Sequence, residues 1–443
     1  MLYYLILFIL ILGYVFFTGE IRMIIPLLSF YLIGRFFIRL ILRSKDRIVI
    51  TLYKLFFIIY GLLVLLTHIE LIHDPMMDFY IHNDAAWSFY SAIMNYVVPE
   101  SWDNLEEVTY KSSLFADYPI ASYIFGFLAK LGIDLGLLDI RLYLRIHVFT
   151  LAALIIAIMS HILLVYKQCS KNILKWMLLF GFGSYLYVTS GIFSRDIHVC
   201  FMYTLLGYYF LLPKFKYKLV IFITLVLITT GLRPVNGFIL IIPILLYYWV
   251  TTSMKNKAFN VLIPLFILMI IVLVLKTELL SYGLEKLDIY KEKTLSNTGG
   301  IFERVFSLPF PINQIGMIVY MSLMPLPIFT FITNDGGTFL TLPFIVSPYI
   351  MSIVLVYVGW YIIKSFRTNR FVTTYLIAFL LLYVIIIFGS PDLRRAFAAV
   401  PGLFVGFCLI KNSIPLRVKR FTYRIVWPLV LFVNLFFVFY LYF

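Results

Sequence analysis

The sequence predicts an all-α integral membrane protein with about 13 transmembrane helices, and three observations carry that reading. Of its 443 residues, 63% are hydrophobic and 13% charged, a balance outside that of soluble domains. The apolar residues fall in continuous runs of about 12 to about 23; the longer ones cross a hydrocarbon core of roughly 30 Å, and the shorter need flanking residues or a locally thinner bilayer. Such runs are not the alternating segments of a β-barrel. In the one topology these runs allow, every acidic residue except Asp46 falls on the same side of the membrane. Most Lys and Arg fall on the other, as the positive-inside rule requires, although that rule leaves acids free to go either way.

The predicted spans are 3–17, 23–42, 50–66, 142–164, 173–190, 197–212, 219–230, 238–250, 261–275, 345–363, 372–388, 396–409 and 426–441. The first has no basic leader and no small-residue cleavage site, so it reads as a retained span. Starting in the cytoplasm, the inner connections are short and basic. They carry Arg43, Lys45 and Arg47, then Lys167 and Lys171, then Lys214, Lys216 and Lys218. Lys255 and Lys257, then Lys364, Arg367 and Arg370, then Arg417, Lys419 and Arg420 complete the set. The run 315–332 would break this pattern as a crossing, and Pro309, Pro311, Pro325 and Pro327 suit a hairpin or interfacial helix on the outer side.

The chain thus divides into N-terminal spans (1–70), a first long outer loop (71–141), central spans (142–275), a second long outer loop (276–343) and C-terminal spans (344–443). The net charge of +15 is that of inner loops beside anionic lipid and calls for no nucleic acid. Cys169, Cys200 and Cys408 have no metal-type spacing, and no phosphate-binding glycine loop supports an ATP-driven process.

The first loop is the most informative segment. Asp84 caps a predicted interfacial helix on which Ala85, Phe89, Ile93 and Tyr96 share a face. Pro119 opens a second, 120–131, which Gly132 is expected to end. Asp84 and Asp117 then stand at helix starts near bilayer height.

NDAAWSFYSAIM, ADYPIASYIFGFLAKLG and the Arg-led span IRLYLRIHVFTLAALIIAIMSHILL together resemble the acidic loop, Pro-containing interfacial helix and following span of GT-C-type membrane glycosyltransferases. These enzymes use polyprenyl-phosphate-linked sugars. The resemblance covers 84–164 well and extends loosely to about 250. Two extra spans precede the loop, and Ala85 follows Asp84 where many relatives have a second acid. Those departures leave a sister resemblance to the multi-span polymerases that join O-antigen or capsule repeat units.

The resemblance implies an enzyme of the plasma (inner) membrane, its active site facing outward. It would move a sugar or oligosaccharide from a polyprenyl-(di)phosphate donor to an envelope glycan acceptor. Such transfer needs a carboxylate to take the acceptor proton and cations to hold the phosphate. Asp84 is the first candidate base and Asp117 the second; as a purely structural group, Asp84 is an N-cap. Arg195, Arg233, Arg394, Arg395 and Arg141 each stand where a span meets the outer face, where an arginine is costly unless paired or employed. Pairing of Arg195 with Asp196, or of Arg394 with Asp392, is the structural alternative.

His73, Asp74, Asp78, His82 and Asp84 could hold a divalent metal, though their spacing matches no compact site and a solvated loop is the simpler reading. No other metal site is expected. His147, His161 and His198 read as separate structural groups, and the 33 Tyr and 44 Phe mainly as lipid-facing packing and interfacial belts. A transporter of the lipid-linked glycan would require charge at mid-span and pseudo-symmetric halves, whereas the span interiors read as nearly uncharged.

Overall fold

A computed structural model describes residues 2–68, 119–190, 195–212, 217–253, 312, 316, 342–365, 369–389, 393–432 and 435. These residues are overwhelmingly helical, and no strand occurs among them. Six helical stretches are long and apolar enough to cross a membrane: Ile21–Leu40, Arg47–His68, Leu142–Val165, Pro234–Thr251, Val346–Ser365 and Arg370–Ile387. Tyr3–Thr18, Lys218–Leu232 and Phe397–Ser413 are shorter apolar helices. The expected span 261–275 and most of 426–441 lie outside the described residues.

The chain forms two compact units. The first comprises Met1–Tyr209, Lys214–Phe238 and Pro325–Ile350. In it α2 (Ile24–Leu40) and α3 (Arg47–His68) pack on α5 (Ile140–Val165), which follows α4 (Pro119–Asp134), and α1 (Leu2–Thr18) packs on α3. The apolar window of α5 is 83% buried against 33% for that of α2, so α5 is the central helix. A helix apolar on all faces belongs in such a position. The unit is completed by α6 (Ser170–Gly183), α7 (Leu186–Thr189), α8 (Asp196–Leu211) up to Tyr209, α9 (Lys218–Leu232) and the start of α10 (Pro234–Ile239).

Buried tyrosines tie these helices together. Tyr14 donates to the Gly61 carbonyl (2.9 Å), Tyr53 to Tyr31 (3.1 Å), Tyr60 to Gly181 (3.0 Å) and Tyr203 to Asn236 (3.0 Å). Away from water, a phenol must find such a partner. The expected lipid-facing role of the aromatics holds for Phe8, Phe16, Phe17 and Phe36, which are exposed, but many tyrosines are interior. Gly34 and Gly181 make room for Tyr53 and Phe56; a Cβ at either would overlap the facing ring.

Two boundaries differ from expectation. The span 173–190 is interrupted: Ser184 is extended (φ −112°, ψ 166°), and its hydroxyl accepts the Leu186 N–H (3.3 Å) as a new turn begins. Gly132 does not end α4. The Leu137 N–H bonds the Gly132 carbonyl (3.0 Å) and the Gly136 N–H that of Ile133 (2.7 Å), with Gly136 at φ +68°. This paired-bond stop places its glycine just beyond the last helical turn.

The second unit comprises Phe210–Pro213, Ile239–Met324 and Met351–Phe443. Its α11 (Ile241–Ser253) packs on α13 (Arg370–Gly389), which in turn packs on α15 (Val400–Ile410). The long α12 (Leu342–Ser365) contributes its part from Met351 onward, and α14 (Leu393–Ala396) and α16 (Leu416–Phe421) flank α15. Phe210 sits among Tyr247, Phe371 and Tyr375, with centroids 5.2, 5.7 and 5.4 Å away. Gly402 and Gly406 admit Phe379 and Leu376, and Tyr375 donates to the Gly402 carbonyl (3.0 Å).

Candidate functional site

The sequence Gly231-Leu232-Arg233-Pro234 fixes the geometry at the end of α9. A residue before proline is driven out of the helical region, and Arg233 is extended (φ −161°, ψ 103°) while Pro234 opens α10. Its guanidinium turns to Asp196, the first residue of α8, with Nη1–Oδ1 2.7 Å and both side chains about nine-tenths buried. A carboxylate there also gains from the α8 dipole. Arg195 precedes it, half-buried, and its carbonyl accepts the N–H groups of His198 (3.0 Å) and Val199 (3.2 Å).

Further along α8, His198 meets His147 of α5 with Nε2–Nε2 3.1 Å. One imidazole must donate and the other accept, so the contact holds with at most one of the two rings doubly protonated. Arg145, two residues before His147, is 1% exposed.

A third cluster fixes the start of α5. Asp139 accepts the Leu142 N–H through Oδ1 (2.7 Å) and pairs with His68 Nε2 through Oδ2 (2.7 Å). The buried Glu20 accepts the N–H groups of Asp139 (2.9 Å) and Leu138 (3.0 Å). Arg22 donates to the Gly136 carbonyl (3.1 Å). The α1–α2 turn and the end of α3 therefore clamp the chain where it enters α5. Burial pushes the Asp139 carboxyl upward, but hydrogen bonds from His68 and Leu142, with the charges of His68 and Arg145, hold it below its ordinary value.

Of the residues singled out from the sequence, Arg195 and Arg233 belong to one cluster. Asp196, offered there as a partner for Arg195, pairs with Arg233. Arg141 is in the first turn of α5. Arg394 and Arg395 lie on α14 in the second unit, Arg395 half-buried. Asp84, Asp117 and Asp392 lie outside the described residues, as do His73, Asp74, Asp78 and His82. Among the described residues no three His, Cys, Asp or Glu side chains converge as metal ligands.

Sequence reasoning missed Glu20, His68, Asp139 and the contact between His147 and His198. Asp139 carries a local signal, an Asp directly before an apolar helical run; the others have none, because their partners are remote in sequence. The span interiors are also less neutral than expected. Arg35 and Arg39 lie within α2, Lys54 within α3 and Arg145 within α5.

Chemically, the Asp196 junction joins a guanidinium to a buried carboxylate, and the buried or half-buried acids Glu20, Asp139 and Asp196 each have a structural partner. Glu20 holds backbone amides, Asp139 caps α5, and Asp196 holds Arg233. Comparison with protein-family models, curated proteins and solved structures finds no match. The fold defines a class, a helical membrane protein.

Proposed function

We propose that this chain is a GT-C-like glycosyltransferase of about 13 spans in the plasma membrane. It moves a sugar or oligosaccharide from a polyprenyl-(di)phosphate donor to an envelope glycan at the outer face. The observation that supports it most is the junction of α8 and α9, where Arg233 meets the buried Asp196 and Arg195 directly precedes that carboxylate in the chain. Guanidinium is the group that grips a phosphate leaving group through its planar fork. Beside the junction, Ile120 in the first turn of α4 fills the space that a Cβ at Gly231 would occupy. Asp117 precedes Ile120 by three residues in the sequence, so the loop that carries both candidate bases ends at this contact. The general base is assigned to Asp84, with Asp117 second, on their place at the starts of the expected interfacial helices and on the resemblance of that loop.

The experiment is a glycan profile of cells carrying single variants. Asp84→Asn is expected to remove the product at unchanged protein level, and Arg233→Lys, which keeps the charge but loses the planar fork, to reduce it strongly. Full product from Asp84→Asn and Asp117→Asn alike sinks the assignment of the base. In a deletion strain, loss of one sugar branch marks a transferase, accumulation of single repeat units a polymerase, and retention of lipid-linked glycan on the inner leaflet a transporter.

A further inference from the structure

Far from the Asp196 junction, at the end of α2 and α3 whose connection carries Arg43, Lys45 and Arg47, two cations converge on one tyrosine. Lys54 Nζ lies 3.5 Å from the Tyr4 hydroxyl and 4.6 Å from the centroid of its ring. The Arg35 guanidinium acts on the same hydroxyl and also lies 5.9 Å from the centroid of the Tyr31 ring. Its Nε is buried with no hydrogen-bond partner among the described residues. No ion pair among those residues involves Arg35 or Lys54.

Along the helices, Arg35 stands roughly 8 Å before the end of α2 and Lys54 roughly 10 Å beyond the start of α3. Cations set that far into apolar helices are costly without a counter-charge. Snorkelling would carry each outward separately, whereas these two side chains from different helices meet on Tyr4 of a third. We propose that Tyr4, Arg35 and Lys54 bind the phosphate of an anionic phospholipid. Its diester supplies the missing negative charge, and the exposed apolar side chains of Leu5, Phe8, Leu32 and Phe36 beside it offer contact for acyl chains. A free phosphate ion would leave those apolar neighbours unused.

The test is native mass spectrometry of the full chain from mixed micelles containing phosphatidylglycerol and phosphatidylcholine. The wild type is expected to retain phosphatidylglycerol selectively, also in the presence of millimolar inorganic phosphate. The double variant Arg35→Gln/Lys54→Gln should lose that preference by about tenfold or more, and Lys54→Gln alone by about fivefold. Lys171→Gln, an exposed charge at the start of α6, should leave it unchanged. Where the double variant does not purify, the Lys54→Gln result decides. The proposal is overturned if Lys54→Gln retains the lipid as the wild type does, if Lys171→Gln loses it equally, or if inorganic phosphate displaces it.

Discussion

Among the described residues, the first unit buries Glu20, Arg145, His147, Asp196, His198 and Arg233, whereas the second buries only the hydroxyl residues Ser352, Thr373, Thr374 and Thr422 as polar groups. Their cores differ accordingly. Around α13 and α15, aromatic rings fill the space left by Gly402 and Gly406, as suits helices that gain little hydrophobic drive from one another within lipid and associate by close packing. In the first unit, packing of the same kind is interrupted by buried charge, such as the Arg233–Asp196 pair, that costs free energy to bury. A core that could have been apolar throughout, as the second one shows, but carries charge instead points to use of that charge.

The comparison can be broken most severely at Arg233. Arg233→Gln leaves Asp196 buried without its counter-ion, an expected loss of about 3–5 kcal/mol. Thermal unfolding in detergent should show it, and Asp196→Asn added to the same chain should restore much of it. A double variant as unstable as the single one would deny that the ion pair is the cause. In the second unit the sensitive position is Gly402. Gly402→Ala drives a methyl into the Phe379 ring and should cost roughly 1–3 kcal/mol by overpacking, read in the same assay.

The clamp at the start of α5 ranks next. Glu20→Gln keeps the shape of the side chain but removes the charge that accepts two backbone N–H groups, and should cost about 1.5–2 kcal/mol. Because the native Asp139 carboxyl is held below its ordinary 3.8, its contribution is fully present above that pH and declines as the pH falls below it. The stability difference between wild type and Asp139→Asn should therefore shrink on acidification below about pH 4. A difference that stays constant to pH 2 would show that the hydrogen bonds and not the charge carry the clamp.

Much of this architecture was legible in the sequence. The Arg-led helix from Ile140 to Val165 follows from its apolar length, and the turn at Arg233 follows from the proline after it, which drives that residue out of the helical region. The interruption at Ser184 was hidden because the residues on either side are uniformly apolar, so hydropathy cannot register a break held by one hydroxyl. Of the candidate site, the arginines at the start of α8 and the end of α9 were legible as costly residues, but the carboxylate that Arg233 meets was not. Asp196 is the direct neighbour of Arg195 in sequence, but its pairing with Arg233, 37 residues further on, has no local signal.

By itself the sequence determined where apolar helices form and which connections are basic, because both depend on residues close along the chain. Only the tertiary structure decided which charges meet: Glu20 with the start of α5, His68 with Asp139, His147 with His198, and Arg233 with Asp196. Those pairings follow from how helices pack, and a buried polar group takes whichever partner that packing brings within reach.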